Sequence, residues 1–107
     1  MSILQGVLLE EIERLEKNIS SYQNMLLSLP RGTIFVRKMG NSSYVYRKKK
    51  ESGIVVSEYL GNIEDESVKK QIELSNEYKR IHNNLKVAEK ELIKLRKAYK
   101  AYDWKWE

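Results

Sequence analysis

Apolar residues recur at alternating steps of four and three along two separate stretches of this 107-residue chain. The first series is Leu8, Ile12, Leu15, Ile19, Tyr22, Leu26 and Leu29. The second is Leu74, Tyr78, Ile81, Leu85, Ala88, Leu92, Leu95, Tyr99, Tyr102 and Trp106. A strand alternates with period two, so neither series can be one. A sustained seam of this kind is the signature of a helix that packs along another helix. The first helix is expected over residues 2–29. Ser2 and Gln5 have the spacing of a reciprocal capping pair, and Pro30 forces the residue before it out of helical geometry. The second helix is expected over residues 63–105. Asn62 is the expected cap, and Glu64, Asp65 and Glu66 would sit where the helix dipole favours anions. Val68 and Ile72 are apolar residues ahead of the seam.

Between the helices the period changes. TIFVRKM and SSYVYRKKK flank Gly40-Asn41, and IVVSEYL follows Glu51-Ser52-Gly53. Three β-rich runs punctuated by turn residues predict two consecutive hairpins, hence a three-stranded antiparallel sheet over residues 33–60. With Met39 and Tyr44 flanking the first turn, Phe35, Arg37, Tyr44, Tyr46, Val56, Glu58 and Leu60 would share one face. Ile34, Val36, Val45, Arg47, Val55 and Tyr59 would share the other. Both faces are partly apolar, and a slip of one residue exchanges them. Which face packs on the helices stays open. The expected fold class is α+β: two long heptad-patterned helices forming an antiparallel, coiled-coil-like hairpin, with the sheet inserted between them, all in one domain.

Length then suggests a partner. At 1.5 Å per residue the first helix spans about 40 Å and the second about 67 Å. Paired from their sheet-proximal ends, helix one would cover helix two only to about Lys90. Leu92, Leu95, Tyr99, Tyr102 and Trp106 would then have no partner within the chain, and an exposed apolar stripe marks an interaction site. With Trp104, which lies off the seam, they form the expected protein interface. It implies a homo-oligomer through helix two.

Composition narrows the function classes. Without cysteine there are no disulfides, thiolate metal sites or cysteine nucleophiles. A lone histidine, His82, offers one ligand where a metal site needs several. The serines have no base partner, and the scattered glycines form no phosphate-binding loop. Glu10, Glu11, Glu13 and Glu16 read as a solvated helix face. The expectation is a non-enzymatic, soluble, cytoplasmic binding protein with no cofactor, no metal, no small-molecule substrate and no membrane contact.

Charge points to a polyanion. The chain carries a net +5. Residues 30–61 hold seven basic and two acidic side chains, and Lys79 to Lys105 hold nine basic and three acidic. In the sheet, Arg37, Lys38, Arg47, Lys48, Lys49 and Lys50 interleave with Phe35, Tyr44 and Tyr46. Cations neutralise phosphates and rings stack on bases. The expected binding residues for nucleic acid or an acidic partner are therefore Arg37, Lys38, Tyr44, Tyr46, Arg47, Lys48, Lys49 and Lys50. The plain alternative is a sheet whose lysines keep its edges from aggregating.

The stretch LPRGTIFVRKMGNSSYVYRKKKESGIVVSEYLG also resembles a pattern in small uncharacterised proteins of Gram-positive bacteria and their mobile elements. Leu29-Pro30, Gly32-Thr33, Tyr44, Tyr46 and Tyr59-Leu60-Gly61 carry the match. The three-strand unit is similar to the N-terminal DNA-binding modules of some transposases and tyrosine recombinases. That resemblance implies binding alone, to DNA in preference to RNA, by a phage or mobile-element accessory protein. Two alternatives are an inhibitor of a nucleoprotein machine such as a CRISPR-Cas nuclease, by analogy with anti-CRISPR proteins, and a structural coiled-coil dimer.

Overall fold

A computed structural model describes the backbone of residues 2–105 and the side chains of residues 2–102. The elements run α1 (Ile3–Leu27), β1 (Thr33–Met39), β2 (Ser42–Glu51), β3 (Ile54–Asn62) and α2 (Glu66–Lys105). The fold is α+β, with a three-stranded antiparallel sheet in the order β1-β2-β3 inserted between two helices. Two compact units can be told apart. One combines α1 with α2 from Ile81 onward, and the other is Ser28–Arg80. Among the described residues no helix is long and apolar enough to cross a membrane.

In the helical unit the heptad seams meet. The Ser2 amide donates to Gln5 Oε1 at 3.0 Å, and the Gln5 amide donates to Ser2 Oγ at 3.1 Å, so the capping pair forms as its spacing predicts. Ile12, Leu15, Ala88 and Leu92 are buried together, with Ile19, Tyr22, Leu95 and Tyr99 packed against them. The helices run antiparallel. Glu11 lines one groove with Leu95, while Tyr22 lines another with Asn84. Glu16 reaches Arg96 across the seam at 3.6 Å.

This pairing corrects the length argument. Leu92 is 7% exposed, in the middle of the intrachain seam rather than beyond its end. Leu95 and Tyr99 also find their partners on this seam. Tyr102 is half-buried. The Trp104 side chain and Trp106 lie outside the described residues. Helix one thus covers α2 from Ile81 onward and not its first turns.

Their occupant is the sheet. In the second unit Val68, on α2, is 1% exposed, and its methyl lies where a Cβ on Gly61 would be placed, 2.9 Å away. Val45 is fully buried and Ser75 nearly so. The start of α2 differs from the expected cap. Ile63 still donates its amide to the Ser43 carbonyl at 3.0 Å, so the chain is held extended past Asn62. The Asn62 Oδ1 instead accepts from the Glu64 amide at 2.9 Å in a turn. Asp65 takes the capping position, its carbonyl accepting from the Lys69 amide at 3.0 Å.

The register of the sheet decides its faces. Met39 pairs with Ser42 around Gly40-Asn41, two residues tighter than expected. A shift of two keeps every β1 and β2 side chain on its expected face. The second hairpin changes β3. Ser52 and Gly53 have φ of 51° and 81°, the double left-handed turn of a two-residue hairpin. Glu51 then pairs with Ile54, Arg47 with Glu58 and Tyr46 with Tyr59. Tyr59 and Val55 therefore join the Tyr46 face, while Glu58 and Val56 join the Arg47 face, the reverse of the expected placement. An irregularity between Val45 and Tyr46 brings Gly61, not Leu60, opposite Val45.

Candidate functional site

The face of the sheet that carries Val45 is buried at Val45, Arg47 and Gly61, while Val36 on the same face stays 49% exposed; the face that carries Tyr46 has no buried residue. On the latter the cross-strand rows Phe35–Tyr46–Tyr59 and Arg37–Tyr44 place four rings side by side. Phe35 and Tyr46 stack with centroids 5.2 Å apart and planes 15° apart. Tyr59 tilts against Tyr46 at 5.3 Å and against Tyr44 at 6.2 Å. Aromatic pairs at these separations stabilise the sheet beyond their buried area. Met39, Tyr44, Tyr46 and Tyr59 line a shallow open groove, to which no helix residue contributes. Tyr59 keeps 57% of its surface exposed.

Cations frame the rings. The Arg37 guanidinium lies 5.8 Å from the centre of Tyr46, and the Lys48 ammonium 5.0 Å from that of Phe35, each in cation–π range. Lys50, paired with Val55, belongs to the same face. Both carboxylates of the sheet lie on the other side. There Lys49 bonds Glu51 at 3.1 Å and approaches Glu58 at 3.7 Å. The bond from Glu51, then the charges of Glu51 and Glu58, hold the Lys49 ammonium above its ordinary pKa. The aromatic face thus carries cations without a carboxylate, and the acids are confined to the opposite face.

The eight expected sheet residues divide accordingly. Arg37, Tyr44, Tyr46, Lys48 and Lys50 come together on the ring face. Lys38 and Lys49 share the opposite face with Arg47. Arg47 is a correction: it is 7% exposed and cannot reach a phosphate. Strand alternation puts it beside Val45, where its Nη2 donates to Gln71 Oε1 at 2.6 Å and Nη1 lies 3.8 Å from Glu58. Its Nε is buried without a hydrogen-bond partner. Arg47→Ala is expected to cost about 1–3 kcal/mol, since it empties the buried space of the side chain and removes the partner of Gln71 Oε1. Arg47→Met, which keeps the stem volume, should cost less. Urea denaturation of the two variants checks this, and equal losses would contradict it.

Two members of the ring face were absent from the expected set, Phe35 and Tyr59. Strand alternation already places Phe35 with Tyr44 and Tyr46. Tyr59 follows only from the two-residue Ser52-Gly53 turn, which sets the pairing of β3. The glutamates of α1 fit a solvated surface. Arg14 bonds Glu11 and holds its carboxyl below the ordinary value, as Arg80 does for Glu77. That is opposite to the direction a general acid needs. Among the described residues no group of three or more His, Cys, Asp or Glu side chains could hold a metal ion.

No curated protein and no solved structure matches the chain. One family does, and its match runs from the first turn of α1 through all three strands into the opening turns of α2, residues 5–70. The chain belongs to the family described as Domain of unknown function (DUF6788).

Proposed function

We propose that the protein is a non-enzymatic, cytoplasmic nucleic-acid-binding protein whose contact surface is the ring face of the sheet. One observation carries this reading: the sheet sorts its charges, leaving Arg37 and Lys48 against the rings and Lys50 farther along the same face, which carries no carboxylate. A face of this composition repels a second copy of itself and suits a polyanion. Phosphates would take the three cations, and the exposed ring of Tyr59 would take a base. The resemblance to recombinase DNA-binding modules agrees with DNA as the preferred polymer and with a role in a mobile element.

The test is fluorescence anisotropy with labelled DNA and RNA oligonucleotides across a salt series. Glutamine at Arg37, Lys48 and Lys50 together should weaken binding at least tenfold at about 0.1 M salt and flatten its salt dependence. Tyr59→Ala should cost a further about 1–3 kcal/mol on a single strand. Wild-type protein that binds no nucleic acid at low salt, or variants that bind as well as wild type, would sink the reading.

A further inference from the structure

The outer face of α2 carries a feature that the ring face does not explain. Lys86, Lys90, Lys94, Lys97 and Lys100 follow one another at steps of four, four, three and three, all exposed. At 3.6 residues per turn they fall within an arc of about 120° and extend about 21 Å along the axis. This arc lies opposite the seam of Leu85, Ala88, Leu92 and Leu95, which is spent on α1. Among the described residues none of the five lysines makes an ion pair. The glutamates of the stretch lie on its flanks: Glu89 lines a groove with Ile19 and Gln23, and Glu91 one with Arg14 and Asn18. Like charges three and four residues apart destabilise a helix. Glu89 and Glu91, three residues from Lys86 and Lys94, offset part of this repulsion, and an anionic partner would offset the rest.

We infer that this ridge is a second, sequence-independent contact for the phosphate backbone of a nucleic acid. The spacing favours that partner. Five point charges at intervals of about 4.5–6 Å match a line of regularly repeated anions, as a nucleic-acid strand presents. A protein interface would show aromatic or arginine anchors among the charges, and the ridge has none. A helix lying in a membrane surface needs an apolar face to bury. Here that face is taken by α1, and among the described residues only Val87 and Ile93 are large apolar side chains exposed beside the lysines, too few to form such a face.

The test replaces all five lysines by glutamine in the full chain. Glutamine has nearly the helix propensity of lysine, so the helical circular dichroism should be unchanged. Binding to a 30-nucleotide oligo(dT) and to a 30-base-pair duplex is then measured against salt. The expected result is a slope of log affinity against log salt shallower by about 2–4, an affinity at least tenfold lower at about 0.1 M salt, and recovery of both with five arginines. Unchanged slope and affinity would overturn the inference. So would loss of binding to phosphatidylserine vesicles with DNA binding intact, which would assign the ridge to a membrane surface. The ridge and the ring face fail separately. Loss of binding in the lysine variant alone upholds the ridge and not the ring face, and loss in the ring-face variants alone does the reverse.

Discussion

Leu92→Ala is expected to destabilise the protein by about 2–4 kcal/mol. Leu92 is buried with Ile12, Leu15 and Ala88 at the centre of the helical unit. Alanine removes three carbons from a seam in which each knob fills a hole on the facing helix. The small residue Ala88 is already a neighbour, so the gap has little side chain to collapse into it. Had Leu92 lain on an uncovered end of α2, the same change would cost a few tenths of a kcal/mol. Urea denaturation followed by the helical signal separates the two outcomes. A loss below about 0.5 kcal/mol, the range of surface substitutions, would show that α1 does not cover this part of α2. Ile93→Ala, one residue on and exposed, is the matched control.

Gly61→Val should be more costly, at about 3–5 kcal/mol. Two penalties combine. The φ of Gly61 is 138°, a conformation open to glycine and strained for a β-branched residue. A Cβ there would also stand 2.9 Å from a methyl of Val68 and 3.1 Å from the Asp65 carboxylate. Val68 is fully packed and Asp65 caps α2, so neither can yield without disturbing the helix start. Gly61→Ala meets the same clash with a smaller group and should fall between valine and wild type. The ordering glycine, alanine, valine in denaturation midpoint is the expected result. Equal midpoints for all three would mean that α2 does not approach the sheet at Gly61.

Both predictions rest on contacts that the sequence announces only in part. The Tyr59-Leu60-Gly61 junction stood out as a short motif, but nothing in it says that Val68 comes down on the glycine. Arg47 shows the same limit from the other side. In the string RKKK it is indistinguishable from its exposed neighbours Lys48 and Lys50. Its burial follows from register and from the covering of one face by α2, which places Gln71 in reach of its guanidinium. The ring face was half legible. Alternation along two strands gathers Phe35, Tyr44 and Tyr46, whereas Tyr59 joins them through the geometry of a two-residue turn.

The sequence by itself determined the elements and their kind. Alternating steps of four and three specify two helices with one apolar stripe each, and turn residues at fixed places divide the middle into three strands. These are local properties, set by the period of the backbone and the allowed angles of Gly40, Ser52 and Gly53. The tertiary structure alone decided which heptads of α2 meet α1. A seam that repeats every seven residues is satisfied equally well after a shift of one or two heptads, so its pattern cannot choose a register. In the structure α1 packs on α2 from Ile81 onward, while the first turns of α2 meet the sheet at Gly61 and Arg47. The contested stripe is displaced by about two heptads, from an open end to the interior of the hairpin, and the lysines opposite it become the surface that α2 offers.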